Sequence, residues 1–149
     1  MTVCGGVILT ALVLVIAGQT SAQQVITTCG ESKGKAFYLQ PPDGWADDGI
    51  SGGSIIFMRY PDGQYDLIFK DKIGMRSACQ DGATVVKVFG DDISTLTIVV
   101  GYPASSVIET YQLSLDGNAR GRLIWSNIKY KSGPLGITRG MLLVSDCSR

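Results

Sequence analysis

The sequence predicts an all-β fold, an antiparallel up-and-down meander of about eight strands arranged as a barrel or a two-sheet sandwich. Three observations carry that expectation. From Lys35 onward, short β-type runs alternate with glycine-centred turns. No segment holds a helical apolar period for three turns. Every connection after Ser54 is too short for a crossover helix, so successive strands must be antiparallel neighbours.

Residues 1–22 carry no charged side chain. Val7 to Ala17 reads VILTALVLVIA, with Thr10 its only polar residue, and the apolar run gives way to Thr20-Ser21-Ala22. That length suits the h-region of a secretory signal, and Thr20 and Ala22 fit a small-x-small cleavage site. Residues 1–22 are therefore expected to be a cleavable signal peptide and 23–149 a single all-β domain. The run is shorter than the roughly 20 apolar residues a bilayer span needs, so the processed chain is not expected to cross a membrane. One departure from the usual signal is the lack of Lys or Arg in Met1 to Gly6. A lipid anchor is disfavoured, because Thr28 precedes Cys29 where a lipobox needs Gly or Ala. The expected location is periplasmic or secreted.

The elements follow in order. Lys35–Leu39 is the first strand. Gln40 to Gly53 (QPPDGWADDGISGG) reads as the one long irregular loop, with Trp45 folded back to cap the core. Ser54–Tyr60 is apolar on both faces, which suits a central strand. Tyr60-Pro61-Asp62-Gly63 then turns the chain, Pro setting φ and Gly accepting a positive one. Gln64–Lys70 places Tyr65, Leu67 and Phe69 opposite Asp66, Ile68 and Lys70. A weaker run, Lys72–Cys79, leads through Gln80-Asp81-Gly82 to Ala83–Phe89. Gly90-Asp91-Asp92 turns into Ser94–Gly101, whose Thr97–Val100 is again apolar on both faces. Val107–Leu115 sets Val107, Tyr111, Leu113 and Leu115 on one face. Leu115-Asp116-Gly117-Asn118 repeats the Asp-Gly turn before Gly121–Lys129, and Ser132-Gly133-Pro134 precedes Ile137–Ser145.

Charge and composition exclude several functions. Lys and Arg number 13 and so do Asp and Glu, which gives no electrostatic footprint for nucleic acid. The local excess of Arg120, Arg122, Lys129, Lys131 and Arg139 splits between two faces by strand alternation and reads as solvated surface. There is no histidine, so Ser-His-Asp and Cys-His nucleophiles, His zinc sites and imidazole acid–base chemistry are ruled out. Asp43, Asp48, Asp62, Asp81 and Asp116 each precede Gly and have turn work to do. The adjacent pairs Asp47-Asp48 and Asp91-Asp92 diverge instead of facing each other across a sugar, and the Trp45 loop lacks the ligand ladder of a calcium loop. No catalytic residue, metal or cofactor is assigned.

With the leader removed, Cys29, Cys79 and Cys147 remain in an oxidising compartment. A Cys29–Cys147 bridge would staple the two ends of the folded part; 29–79 and 79–147 pairings stay open. A left-over Cys79 is either buried and inert or available for an intermolecular bond. Arg59 shares a face with Ile55 and Phe57, and Glu109 with Val107 and Tyr111. A charge on an apolar face is exposed at a strand end, paired, or aimed at something polar inside. The functional expectation is a buried pair or a carboxylate clamp within the barrel. Trp45, Arg59 and Glu109 are accordingly the candidate ligand-binding residues.

Gly44-Trp45 to Gly49-Ile50-Ser51, Tyr102-Pro103-Ala104, Glu109-Thr110-Tyr111 and Gly121 to Trp125 together resemble small exported bacterial β-proteins of unassigned function. The resemblance implies a bacterial envelope origin and brings no activity. The expected function is a non-catalytic envelope protein that binds a small apolar ligand inside the barrel or an envelope component on its surface. A protein–protein interaction or inhibitor module is the alternative, and a carboxylate-only hydrolase the second.

Overall fold

The computed structural model describes residues 23–39, 42–90, 94–130 and 137–148. The expected signal peptide and parts of the turns at Gly90-Asp91-Asp92 and Ser132-Gly133-Pro134 lie outside the described residues. Ten strands run through the rest: β1 (Gln24–Tyr38), β2 (Gly44–Ile50), β3 (Ser54–Arg59), β4 (Tyr65–Lys70), β5 (Met75–Ser77), β6 (Thr84–Phe89), β7 (Thr95–Tyr102), β8 (Val107–Leu115), β9 (Gly121–Lys129) and β10 (Arg139–Ser148). All pairings are antiparallel, in the order β5-β4-β3-β1-β10-β9-β8-β7-β6, with β2 attached to β1. The first and last strands, β1 and β10, are therefore neighbours inside an open sheet that runs from β5 to β6, with β2 paired only to β1. Among the described residues no helix is long and apolar enough to cross a membrane.

Two strands depart from expectation. β1 begins at Gln24 instead of Lys35, and Gly44–Ile50 is a strand, not part of an irregular loop. The start of β1 carries the β-branched run Val25-Ile26-Thr27-Thr28, whereas β2 has little β propensity of its own. Tertiary pairing holds both. β1 lies against β10 on one side, and on the other against β3 up to Cys29 and β2 from Ser32. A register shift between Cys29 and Ser32, at Gly30-Glu31, bends β1 where its partner changes. β2 is fixed by register from Ser32 opposite Ile50 to Tyr38 opposite Gly44.

The turns follow their chemistry, with one exception. Gly63 has φ +84° and donates to the Tyr60 carbonyl at 3.0 Å, as Pro-Asp-Gly dictates. At the β8–β9 turn the left-handed residue is Ala119 (φ +57°), not Gly117. Asp116 Oδ1 accepts the Asn118 and Arg120 amides at 2.8 and 3.0 Å, and the Ala119 carbonyl takes the buried Thr27 hydroxyl at 2.9 Å.

Inward side chains line up in rows across the sheet, because side chains alternate along each strand. At one end stands the row Cys29, Cys147, Gly121, Leu115, with the cysteines disulfide-bonded. Above it come Ser32, Ser145, Leu123, Leu113, Leu96, then Gly34, Leu143, Trp125, Tyr111, Ile98. Phe57 of β3 meets Tyr111 of β8 edge-on at 5.9 Å, although β1, β10 and β9 separate them along the sheet. The sheet thus curls into a half-barrel whose lower part is filled by Phe57, Leu67, Leu123, Leu143 and Ile98.

The segment after β5 secures the seam between the sheet's ends. Asp66 is fully buried on the face opposite Leu67. Its carboxylate accepts the Ser77 hydroxyl at 2.6 Å, the Tyr60 hydroxyl at 3.2 Å, and the Leu67 and Cys79 amides at 2.8 and 3.2 Å. Four donors satisfy the group in place, so it clamps the segment to β4.

Candidate functional site in the mouth of the half-barrel

Two further rows complete the inner face: Ala36, Met141, Asn127, Glu109, Val100, and at the rim Tyr38, Arg139, Lys129, Val107, Tyr102. The wall changes from apolar to polar as it rises. There the half-barrel holds an open cavity of about 310 Å3, lined by Glu109, Asn127, Trp125, Arg139, Lys129 and Tyr102 on one side. Ile50, Phe69 and Arg76 line the other side and also border an adjoining apolar corner of about 80 Å3.

Glu109 is 7 % exposed. Its carboxylate accepts the Tyr111 hydroxyl on one oxygen and Asn127 Nδ2 on the other at 2.7 Å. Burial pushes its pKa up; those two hydrogen bonds and the charge of Arg139 offset the shift only in part. Burial also raises the Tyr111 and Tyr102 hydroxyls, reinforced by the Glu109 charge, so both keep their protons at neutral pH.

Around this carboxylate three polar atoms are buried without a partner: Asn127 Oδ1, Trp125 Nε1 and Arg139 Nε. Orphaned buried polar groups are costly and rare; these three atoms are sealed within the packed wall, while other atoms of the same residues form the cavity surface. Asn127 offers Nδ2 to a carboxylate, which leaves Oδ1 as its free acceptor. Trp125 is 6 % exposed and stacks on Tyr111 at 5.5 Å, with its Nε1 buried in the wall. Arg139 spends Nη1 on Asp48 Oδ2 at 3.2 Å, which also takes the Tyr38 hydroxyl at 3.3 Å. Asp48, read as a turn residue, is thus an inward partner of Arg139. Arg76 faces Asp71 at 3.8 Å, whereas Lys129 has no ion-pair partner among the described residues.

The candidate residues named from sequence separate in space. Glu109 lies in the cavity wall. Arg59 is exposed and pairs with Gln24, beyond the disulfide end of β1, at the opposite end of the molecule from Glu109. A buried Arg59–Glu109 pair is therefore excluded. Trp45 does not cap the core. It is 70 % exposed on the outer face, edge-on to Phe37 at 5.3 Å, because the strand pairing of β2 turns it outward. Cys79 is exposed, away from the cavity, with its thiol pushed up to about 11 by burial and the Asp66 carboxylate.

Trp125, Asn127, Lys129 and Arg139 were missed, although the signal was present. Alternation sets Asn127 and Lys129 on the face of Leu123 and Trp125, and Arg139 on the face of Met141 and Leu143. On the outer surface a groove of about 460 Å3 between Lys33, Arg122 and Asp146 is larger, but its walls are solvated charges. Compared with known proteins, the chain matches no family model, no curated protein and no solved structure, so the chemistry of the mouth rests on its own geometry.

Proposed function

We propose that the chain is an exported, non-catalytic binding protein whose half-barrel mouth takes a small ligand with an apolar body and a polar end. The observation that carries this reading is the open cavity itself, whose polar wall holds Asn127, Arg139 and Lys129, the last with no ion-pair partner among the described residues. Ile50, Phe69 and Val107 supply the apolar wall. An envelope location is supported by the expected leader and by the Cys29–Cys147 bridge, which favours an oxidising compartment.

A protein-contacting role has one observation in its favour. Trp45, Phe37, Ile128 and Ile108 fall in a single outer row, and Trp45, Ile128 and Ile108 are exposed. Native mass spectrometry of the protein purified from a bacterial host, leader included, tests both readings. A small-molecule adduct lost in Lys129→Met supports the mouth as a binding site, and a protein adduct favours the outer row. A bare, correctly folded chain from every compartment and growth condition tried counts against both.

A further inference from the structure

We infer that the outer wall at the mouth end is a lipid-contacting band, on which the protein rests against the surface of a bilayer of neutral lipids. The inference concerns the outside of the sheet and stands whether or not the mouth holds a ligand.

The band is the last outer row before the rim: Trp45, Phe37, Gly140, Ile128, Ile108 and Gly101, side by side across six strands and without a charge among them. Trp45, Ile128 and Ile108 each expose more than half of their surface. Leu39 and Tyr130, two residues beyond Phe37 and Ile128, do the same and carry the band to the rim. An apolar groove of about 420 Å3 lies between Ile108, Ile128, Tyr130 and Pro103. Farther along the strands the same wall turns polar. The Lys35–Asp47 pair, at 2.7 Å, stands one row in, and Arg122 pairs with Asp146 at 3.4 Å near the disulfide end.

Height and shape select the occupant. Two residues of strand rise give the band a height of about 7 Å. That matches the roughly 5–10 Å to which apolar surface sinks at a bilayer interface. A spanning barrel needs an outer apolar band about 25 Å tall, and the Lys35–Asp47 pair interrupts this one far sooner. Across the strands the band covers five spacings, about 24 Å, around a curled sheet. A rigid partner meets such a convex wall along a strand or two, whereas lipid conforms to all of it. Trp and Tyr rings on the band suit a boundary that is apolar on one side and wet on the other. Charge decides the lipid. Lys35 is taken up by Asp47, and Lys129 and Arg139 belong to the inner wall, so the described band offers nothing to an anionic headgroup.

The test is co-flotation with phosphatidylcholine vesicles of the chain from Gln23 onward, which holds every described strand. The wild type is expected to float with the vesicles to the same extent at low and high salt. Trp45→Thr, Ile108→Thr and Ile128→Thr together should lower partitioning by at least about tenfold at unchanged Tm. Ile124→Thr with Val144→Thr, a cross-strand pair on the same wall two rows from the band, should float like the wild type. A wild type that stays with the free protein, flotation that survives the triple variant, loss in the control pair as well, or a requirement for anionic lipid each overturns the inference. So does a dimer in sedimentation that the triple variant dissolves, which assigns the row to a second copy of the chain.

Discussion

Ionising Glu109 means placing a negative charge between Val100, Tyr111 and Trp125, and the donors it receives do not fully offset the desolvation. Its folded pKa therefore lies above the ordinary glutamate value of 4.5. A group shifted upward binds its proton more tightly in the native state, so its contribution to stability is full below the unfolded value. That contribution is lost as pH rises through the folded one. Glu109→Gln removes this dependence. The difference in Tm, variant minus wild type, is expected to move in favour of the variant between about pH 4 and about pH 7, and thermal melts at matched ionic strength measure it. A difference that stays flat, or moves the other way, contradicts a raised pKa. Glu109 itself was legible, because a lone acid on an apolar strand face stands out. The orphaned atoms around it were not: sequence alternation gives the face of Asn127 and Arg139 but not which of their polar atoms find partners.

Strands whose two sides meet different media were readable almost to the residue. Val107–Leu115 and Gly121–Lys129 alternate sharply, since one face packs and the other meets solvent. The start of β1 was passed over although Val25-Ile26-Thr27-Thr28 is a β-branched run, and β2 was not legible because its extended form comes from its partner strand. GWADDGI has little reason to be a strand except that Phe37 and Trp45, and Lys35 and Asp47, face each other across β1 and β2. Glycine placement shows the same dependence on context. A Cβ on Gly121 would lie 1.9 Å from the Ser114 carbonyl oxygen, a backbone atom that cannot step aside, whereas a Cβ on Gly101 meets open space. Gly121→Ala is expected to cost at least about 2 kcal/mol, read as a lower urea midpoint at unchanged m-value, with Gly101→Ala close to neutral. Equal midpoints for the two variants would show that the β8–β9 backbones yield more easily than this contact implies.

The whole molecule is held where the chain's ends meet. Cys29 and Cys147 are cross-strand partners 118 residues apart, so their bridge closes nearly the entire described chain into a loop. In the chain-entropy model a loop of that length stabilises by about 4 kcal/mol or somewhat more. The double variant Cys29→Ser, Cys147→Ser should lose about that amount in urea unfolding. Reductant should destabilise the wild type but leave the double variant unaffected, and Cys79→Ser should respond to reductant like the wild type. If reductant leaves the wild-type midpoint in place, the bridge contributes nothing to stability. The all-β class and the antiparallel meander were legible because turn spacing and connection length allow little else. The curl of the sheet and the position of its seam were not, since both depend on which distant strands pair.

The β1–β10 pairing also bears on when this protein can fold. Its first strand has no lasting neighbour on one flank until its last strand exists, and contacts of such long sequence separation are slow to form. A nascent chain lacking residues 139–148 leaves one flank of β1 and one flank of β9 unpaired, although β2 and β3 can lie on β1 and β8 on β9, so the rows that cross β10 cannot be completed. The order of manufacture thus leaves the two halves of the sheet unjoined until β10 has been made.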